Sequence, residues 1–384
     1  MNKNKYLVLI GVLLAQLTIA ALYAWSILSV AIIKETSWTE NEVLIAYFIA
    51  QFVFAFSTIF SGRLVDQKGP RFTLIIGGLL YGGGLVLSSF ASTPFMLYIT
   101  YGVLSGAGVG FVYVCPLTTL IKWFPHHKGA ITGLSVAVFG GGSILFKEII
   151  SMLLKNYNVS HTFLVLGITS FLVIIIGAIF VGFPDGYKNE YAIKTEKDYS
   201  TSEMIKTNKF KKIWMMFYLA VIPGLLVLGA AKNIGLSANL SYVAAASLIS
   251  ILALSNATSR LISGALSDRF GPLAVLKGMF MMTIISLLLI GTLSNLIVFF
   301  YIGMIGIAIG YGGFLSIFPT LTNLEFGAYR YGAHYGIMFQ AYGFAALSGI
   351  LLLSISGSYT ITFLISAFSG LIGLIVSTTL KKKL

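Results

Sequence analysis

The chain has 384 residues, of which 57% are hydrophobic and only 10% charged, with a mean hydropathy of +0.93. That balance excludes an ordinary soluble enzyme, and 41 glycines with 14% aromatics fit helices packed closely in a membrane. The net charge of +13 does not indicate a nucleic-acid partner, because the basic residues fall in alternate loops and at the ends.

Crossing a bilayer takes an apolar helix of about 20 residues. Twelve such runs follow in chain order: Tyr6–Ile33, Val43–Phe60, Phe72–Ala91, Phe95–Ile121, Gly129–Leu154, Thr162–Phe183, Ile213–Ala231, Leu240–Leu266, Leu273–Leu293, Leu296–Leu321, Tyr331–Leu353 and Tyr359–Leu380. The first is too long for the apolar core of a secretion signal and is expected to remain as a helix. The expected fold is an all-α membrane protein with two pseudo-symmetric six-helix halves, residues 1–183 and 213–384, joined by a linker at 184–212. The linker carries Lys188, Lys194, Lys197, Lys206, Lys209, Lys211 and Lys212 among acidic residues, and reads as solvated chain drawn to anionic lipid.

Lys3, Lys5, Arg63, Lys68, Arg71, Lys122, Lys128, Arg269, Arg330 and the Lys381–Lys383 tail fall on one side of this pattern, with the linker. Lys34, Lys155 and Lys232 fall on the other. The positive-inside rule then makes both termini cytoplasmic, in a multi-pass protein of the cell membrane. The single cysteine, Cys115, allows no intrachain disulfide or cysteine-cluster metal site and reads as helix packing.

The two halves repeat. Gly62-Arg-Leu-Val-Asp66-Gln-Lys-Gly69-Pro70-Arg71 after the second span returns as Gly264-Ala-Leu-Ser-Asp268-Arg269-Phe-Gly271-Pro272 after the eighth. Gly102-x-x-x-Gly106-x-x-x-Gly110 and Pro116 in span four are answered by Gly306-x-x-x-Gly310 and Pro319 in span ten. Gly129-Ala130-x-x-Gly133 opening span five is answered by Gly332-Ala333-x-x-Gly336 opening span eleven. Matched spacing through three helix pairs is a parallel duplication, as transporters use for alternating access. Asp66 and Asp268, just beyond helix ends among basic residues, are expected to latch cytoplasmic ends through charge pairs and helix dipoles.

Arg260 is the one charge between Leu240 and Leu266. A guanidinium keeps its charge in a protein, and holding it within a membrane helix costs on the order of 2.5–3.5 kcal/mol. In the repeat it falls opposite Thr58, and Asn256 falls opposite Phe54, so the scaffold does not require an arginine there. Lys147 and Glu148 in span five are likewise unrepeated charges, opposite Ile350 and Leu351.

These residues resemble the major facilitator superfamily over essentially the whole chain, and more narrowly the oxalate/formate antiporter family and its relatives, the monocarboxylate transporters. The resemblance rests on Leu22-Tyr23-Ala24-Trp25-Ser26, on Gly106-x-Gly-x-Gly110-x-x-Tyr113, on Lys122-Trp123-Phe124-Pro125-x-x-Lys128-Gly129-x-x-x-Gly133-Leu134, and on Asn256-x-x-x-Arg260-x-x-x-Gly264. It implies a transporter of small carboxylates whose span-eight arginine binds the carboxylate, consistent with the planar fork that arginine offers. Two departures stand out. Oxalate-type exchangers carry a lysine in span eleven where this chain has Tyr342, and animal-type monocarboxylate carriers carry an Asp one turn before the arginine where this chain has Asn256.

The expected substrate-binding set is therefore Arg260 as counter-ion, Asn256 on the same helix face to orient it, and the hydroxyls of Tyr23, Tyr113 and Tyr342. Aromatic packing is the competing reading for each tyrosine, and packing is the first reading for Trp25. Lys147 is expected near the outer interface, its stem snorkelling, with a second positive charge for a dianion as the alternative. Glu148, the one acid inside any span, and His334 at the mouth of span eleven are the proton-site candidates. His126 and His127 read as solvated.

The expected function is secondary transport of a monocarboxylate such as lactate, pyruvate or formate, by proton symport or anion exchange, through a monomer with the lipid bilayer, the carboxylate and a proton or counter-anion as partners. The alternatives are oxalate/formate-type dicarboxylate exchange and, from another class, a receptor or assembly component that moves nothing. No nucleophile–base pair or metal-ligand set suggests an enzyme, and no cofactor or metal is expected.

Overall fold

The computed structural model describes residues 4–184, 199–328 and 330–380. Among these residues every regular element is helical. Lipid offers no partner for a backbone N–H or C=O, so an apolar run must satisfy its own hydrogen bonds, and a helix does this within one segment. Among the described residues, twelve helices are long and apolar enough to cross a membrane: Lys5–Ala24, Ile45–Lys68, Pro70–Ser88, Pro94–Trp123, Lys128–Asn156, Val159–Phe180, Asn208–Leu228, Val243–Phe270, Pro272–Leu293, Ile297–Phe326, Tyr331–Leu353 and Tyr359–Thr378. Each corresponds to one of the apolar runs, and they are numbered one to twelve below.

Local chemistry sets their ends. Thr39 and Glu42 form a reciprocal cap at the start of the helix that leads into span two: the Thr39 N–H donates to Glu42 Oε2 at 2.8 Å, and the Glu42 N–H donates to Thr39 Oγ1 at 3.4 Å. The Thr39 N–H and hydroxyl hold the Glu42 carboxyl below the usual carboxylate range. The two repeated turns share one geometry, with Gly69 at φ +87° and Gly271 at φ +83°, each followed by a proline that opens the next helix. Only glycine takes that backbone without strain, and proline at the first helical position gives up an N–H that has no partner there.

Several spans are interrupted where the sequence gives no break. Residues Ile19–Ala24 are a 3₁₀ segment, and Tyr98–Ser105 in span four form a π-helix. Span eleven divides into Tyr331–Met338 and Gln340–Ser356. The expected linker is also partly helical. Thr201–Lys206 forms a short helix with Met204 buried, and the helix of span seven begins at Asn208 under a Thr207 cap. Lys188, Lys194 and Lys197 of the linker lie outside the described residues.

The chain forms two compact units that draw on both sequence halves. The first comprises Met1–His126, Val138–Thr201 and Thr322–Gly343. In it, span three packs on span six, span two on span four, and the first part of span eleven on span two. The second comprises His127–Ala137, Ser202–Leu321 and Phe344–Leu384, with span seven packed on spans eight and twelve and span nine on span twelve.

Candidate functional site

The two acidic turns perform one task twice. Asp66 accepts the N–H groups of Gly332 and Ala333 at 3.3 and 2.9 Å, within the first unit. Asp268 accepts those of Gly129 and Ala130 at 2.7 and 2.8 Å, within the second. In both, a carboxylate fills the N-terminus of a helix from the other sequence half, where the first N–H groups have no helical partner and the dipole favours negative charge. Gly62 and Gly332 meet backbone to backbone, as do Gly264 and Gly129, and a Cβ at any of the four would strike the opposing carbonyl.

The two copies differ in their charge environment. The Lys122 ammonium lies 4.0 Å from Asp66 Oδ1, with only 2% of the side chain exposed, and 3.7 Å over the Phe183 ring. Asp268 has no basic partner among the described residues. Arg71 and Arg269, expected to contribute charge pairs, are exposed and make none among the described residues. Both carboxylates are therefore held by backbone N–H groups rather than by Arg71 or Arg269.

In the second unit, Arg260 is fully buried. Its Nε donates to Asn256 Oδ1 at 2.8 Å and its Nη1 to the Val136 carbonyl at 2.5 Å. Nη2 has no hydrogen-bond partner, and no carboxylate approaches the guanidinium, among the described residues. Two neutral acceptors thus hold a buried cation in place and leave donors over, both of those on Nη2 included. Burying an uncompensated charge costs several kcal/mol, so the arrangement favours an added anion. The repeat supplies a contrast: Thr58, opposite Arg260, is also buried but has acceptors for its one donor, with the Ala55 carbonyl at 2.6 Å and that of Gly336 at 3.1 Å.

Small residues make this geometry possible. Gly133 brings span five against the Arg260 carbonyl. A Cβ on Gly312 of span ten would sit 2.8 Å from Asn256 Oδ1 and closer still to the Asn256 carbonyl. Gly312→Ala is therefore expected to displace the Asn256 amide and free Nε. Losing one hydrogen bond to a charged group is worth about 1.5–3 kcal/mol, so the KM for the transported substrate should rise roughly tenfold or more. An unchanged KM in a folded variant would remove Asn256 from the site.

In the first unit, the three expected tyrosines join one aromatic cluster. Tyr113 and Tyr342 are buried and Tyr23 is half-buried. Phe139 links Tyr23 to Tyr113, with ring centroids at 4.7 and 5.5 Å. Phe339 lies 5.2 Å from Tyr113 and stacks on Tyr342 at 4.7 Å. Phe54, the repeat counterpart of Asn256, completes it at 5.1 Å from Tyr113 and 5.9 Å from Tyr342. As members of a cluster the three phenylalanines escape the sequence reading: Phe54 enters it only as the counterpart of Asn256, and nothing distinguishes Phe139 and Phe339 among 29.

The remaining candidates lie apart. Lys147 and Glu148 are exposed on span five, outside both clusters. His334 is buried near Phe326, with ring centroids 6.4 Å apart. Cys115 is buried, its thiol 3.2 Å from the Phe111 carbonyl, and His126 and His127 are exposed.

Residues 8–350 match the Major Facilitator Superfamily. The oxalate:formate antiporter of Oxalobacter formigenes is 29% identical over 98% of this chain and 91% of its own length. The uncharacterized MFS-type transporter YhjX of Escherichia coli (strain K12) is 28% identical over 90% and 87%. Monocarboxylate transporter 12 of Xenopus laevis is 25% identical over 77% and 71%. Among solved structures, the E. coli fucose:proton symporter has the same fold, with a TM-score of 0.71 over the full length of both chains at 14% identity. The chain belongs to the Major Facilitator Superfamily and is a multi-pass membrane transporter rather than an enzyme.

Proposed function

We propose that this transporter moves small organic anions, monocarboxylates such as lactate, pyruvate or formate, by alternating access. The observation that carries this reading is Arg260, fully buried with Nη2 unpartnered among the described residues. A carboxylate meeting the guanidinium would supply the missing acceptor and the missing negative charge together. Asn256 holds the fork, and Tyr23, Tyr113 and Tyr342 are proposed as further substrate contacts through hydroxyl and ring edge. The relatives named as an oxalate:formate antiporter and a monocarboxylate transporter support the same substrate class.

Asp66 and Asp268, with Gly62, Gly69, Gly264 and Gly271, are proposed as the conformational latch, whose helix caps must release for the cytoplasmic side to open. The excess of Lys and Arg in alternate loops supports the reading that both termini are cytoplasmic and that the bilayer is the cell membrane. Dicarboxylate exchange is the second reading, supported by the similarity to the oxalate:formate antiporter. Tyr342, stacked on Phe339 where such exchangers carry a lysine, weighs against it.

Purified protein in liposomes tests this with labelled lactate, formate and oxalate, with and without a pH gradient. Arg260→Ala is expected to lower apparent anion affinity by at least about tenfold, since truncating one partner of a buried charge pair costs about 2–5 kcal/mol. Uptake of all three at the wild-type rate in Arg260→Ala would end the counter-ion assignment. Dependence on a trans anion identifies exchange, and acceleration by a proton gradient alone identifies symport.

A further inference from the structure

A second cluster of polar aromatic side chains lies within the first unit, beside two irregular helical segments. Trp25 directly follows the 3₁₀ stretch Ile19–Ala24, and Tyr101 sits inside the π-helix Tyr98–Ser105. Such segments within helices often mark functional positions. Here they bring the two rings together at 4.2 Å, both 3% exposed. Tyr47 also stacks on Trp25, at 6.4 Å, and its hydroxyl accepts from Gln51 Nε2 at 2.6 Å.

Two atoms of this group have no hydrogen-bond partner among the described residues: Trp25 Nε1, which can only donate, and Gln51 Oε1, which can only accept. Gln51 is also only 3% exposed. A buried orphan donor and a buried orphan acceptor on two residues that both touch Tyr47 require an account, because each carries a desolvation penalty. None of the four side chains contacts a charged residue among the described residues.

We propose that Trp25 and Gln51 form a second binding site, specific for the substrate acid in its neutral, protonated form. A protonated carboxyl group carries one donor and one acceptor. Its O–H donates to Gln51 Oε1, its carbonyl accepts from Trp25 Nε1–H, and the aromatic cluster receives the short apolar remainder. An ionised carboxylate would lose its hydration here without gaining a cation, a transfer far more costly than that of a neutral hydrogen-bonding group. The site therefore selects the protonation state opposite to the one Arg260 selects. This inference rests on the reading that the substrate is a carboxylic acid.

Lactamide is a suitable probe, since it has the size of lactic acid, one carbonyl acceptor and amide donors, and no ionisable group. Calorimetric titration of the purified full-length protein with lactamide is expected to give saturable binding. Trp25→Phe and Gln51→Met, which nearly preserve volume, should each weaken it by about tenfold, the loss of one hydrogen bond in a dry site. No saturable lactamide binding to wild type, or equal binding to wild type and both monodisperse variants, would overturn the proposal. Failure of the anion reading has a separate signature: lactate binding insensitive to Arg260→Gln in an otherwise wild-type chain.

Discussion

Asn256→Asp is expected to weaken lactate binding at neutral pH by one to two orders of magnitude, and to recover it as the pH falls. The substituted oxygen would stay about where Asn256 Oδ1 is now, 2.8 Å from Arg260 Nε. It would bring a full negative charge to a cation that otherwise meets only neutral acceptors. Two carboxylates sharing one guanidinium about 6 Å apart repel by roughly 3 kcal/mol at an effective dielectric of about 20. The sign of the pH effect follows directly. The new carboxylate is charged above its own pKa and repels the substrate there, and protonation below that pKa removes the repulsion. Lactate affinity measured from pH 5 to 8 in liposomes checks this. A neutral-pH affinity equal to wild type would place the substrate away from the guanidinium.

The second large effect concerns stability, and it separates two acids that the repeat makes look alike. Asp66→Asn removes the carboxylate beside the buried Lys122 ammonium as well as the charged cap on span eleven. Breaking a buried pair by removing one partner costs about 3–5 kcal/mol, part of which the Phe183 ring retains as a cation–π contact. Asp268→Asn removes only a cap, worth about 0.5–2 kcal/mol. Asp66→Asn should therefore unfold at clearly lower temperature in detergent than Asp268→Asn. Lys122→Met should recover part of the loss in the Asp66→Asn background while destabilising the wild type. Equal losses at the two aspartates, with no recovery, would show that Lys122 does not depend on Asp66.

The sequence pattern revealed what depends on solvent preference and on repetition. Each apolar run became a span because lipid permits little else, and Asp66 and Asp268 stood out because a charged turn recurred at matched positions. Arg260 was legible because a charge in an apolar run has few reasons to exist. What stayed hidden depends on tertiary contact or on backbone groups common to every residue. The Val136 carbonyl that accepts from Arg260 is one of these, and so is the Gly312 contact that seats Asn256. The π-helix at Tyr98–Ser105 has no proline inside it and a single glycine, Gly102, so no local residue announces it. Lys122 read as a topology charge because its partner lies far away in sequence, and Arg71 and Arg269 looked like latch charges because theirs lie close.

The buried guanidinium also bears on how the chain enters the membrane during synthesis. The eighth span has the lowest hydropathy of the twelve. Arg260, about two-thirds of the way along it, therefore meets hydrocarbon before span eight has docked on the Val136 carbonyl of the earlier span five, and before any substrate is there to receive it. Asn256, one turn earlier on the same helix, is the one partner that arrives with it. Spans seven and nine pack directly against span eight in the second unit, so neighbouring helices can share the cost of lodging it. The residue proposed as the substrate's counter-ion thus makes its own span the one most dependent on company during insertion.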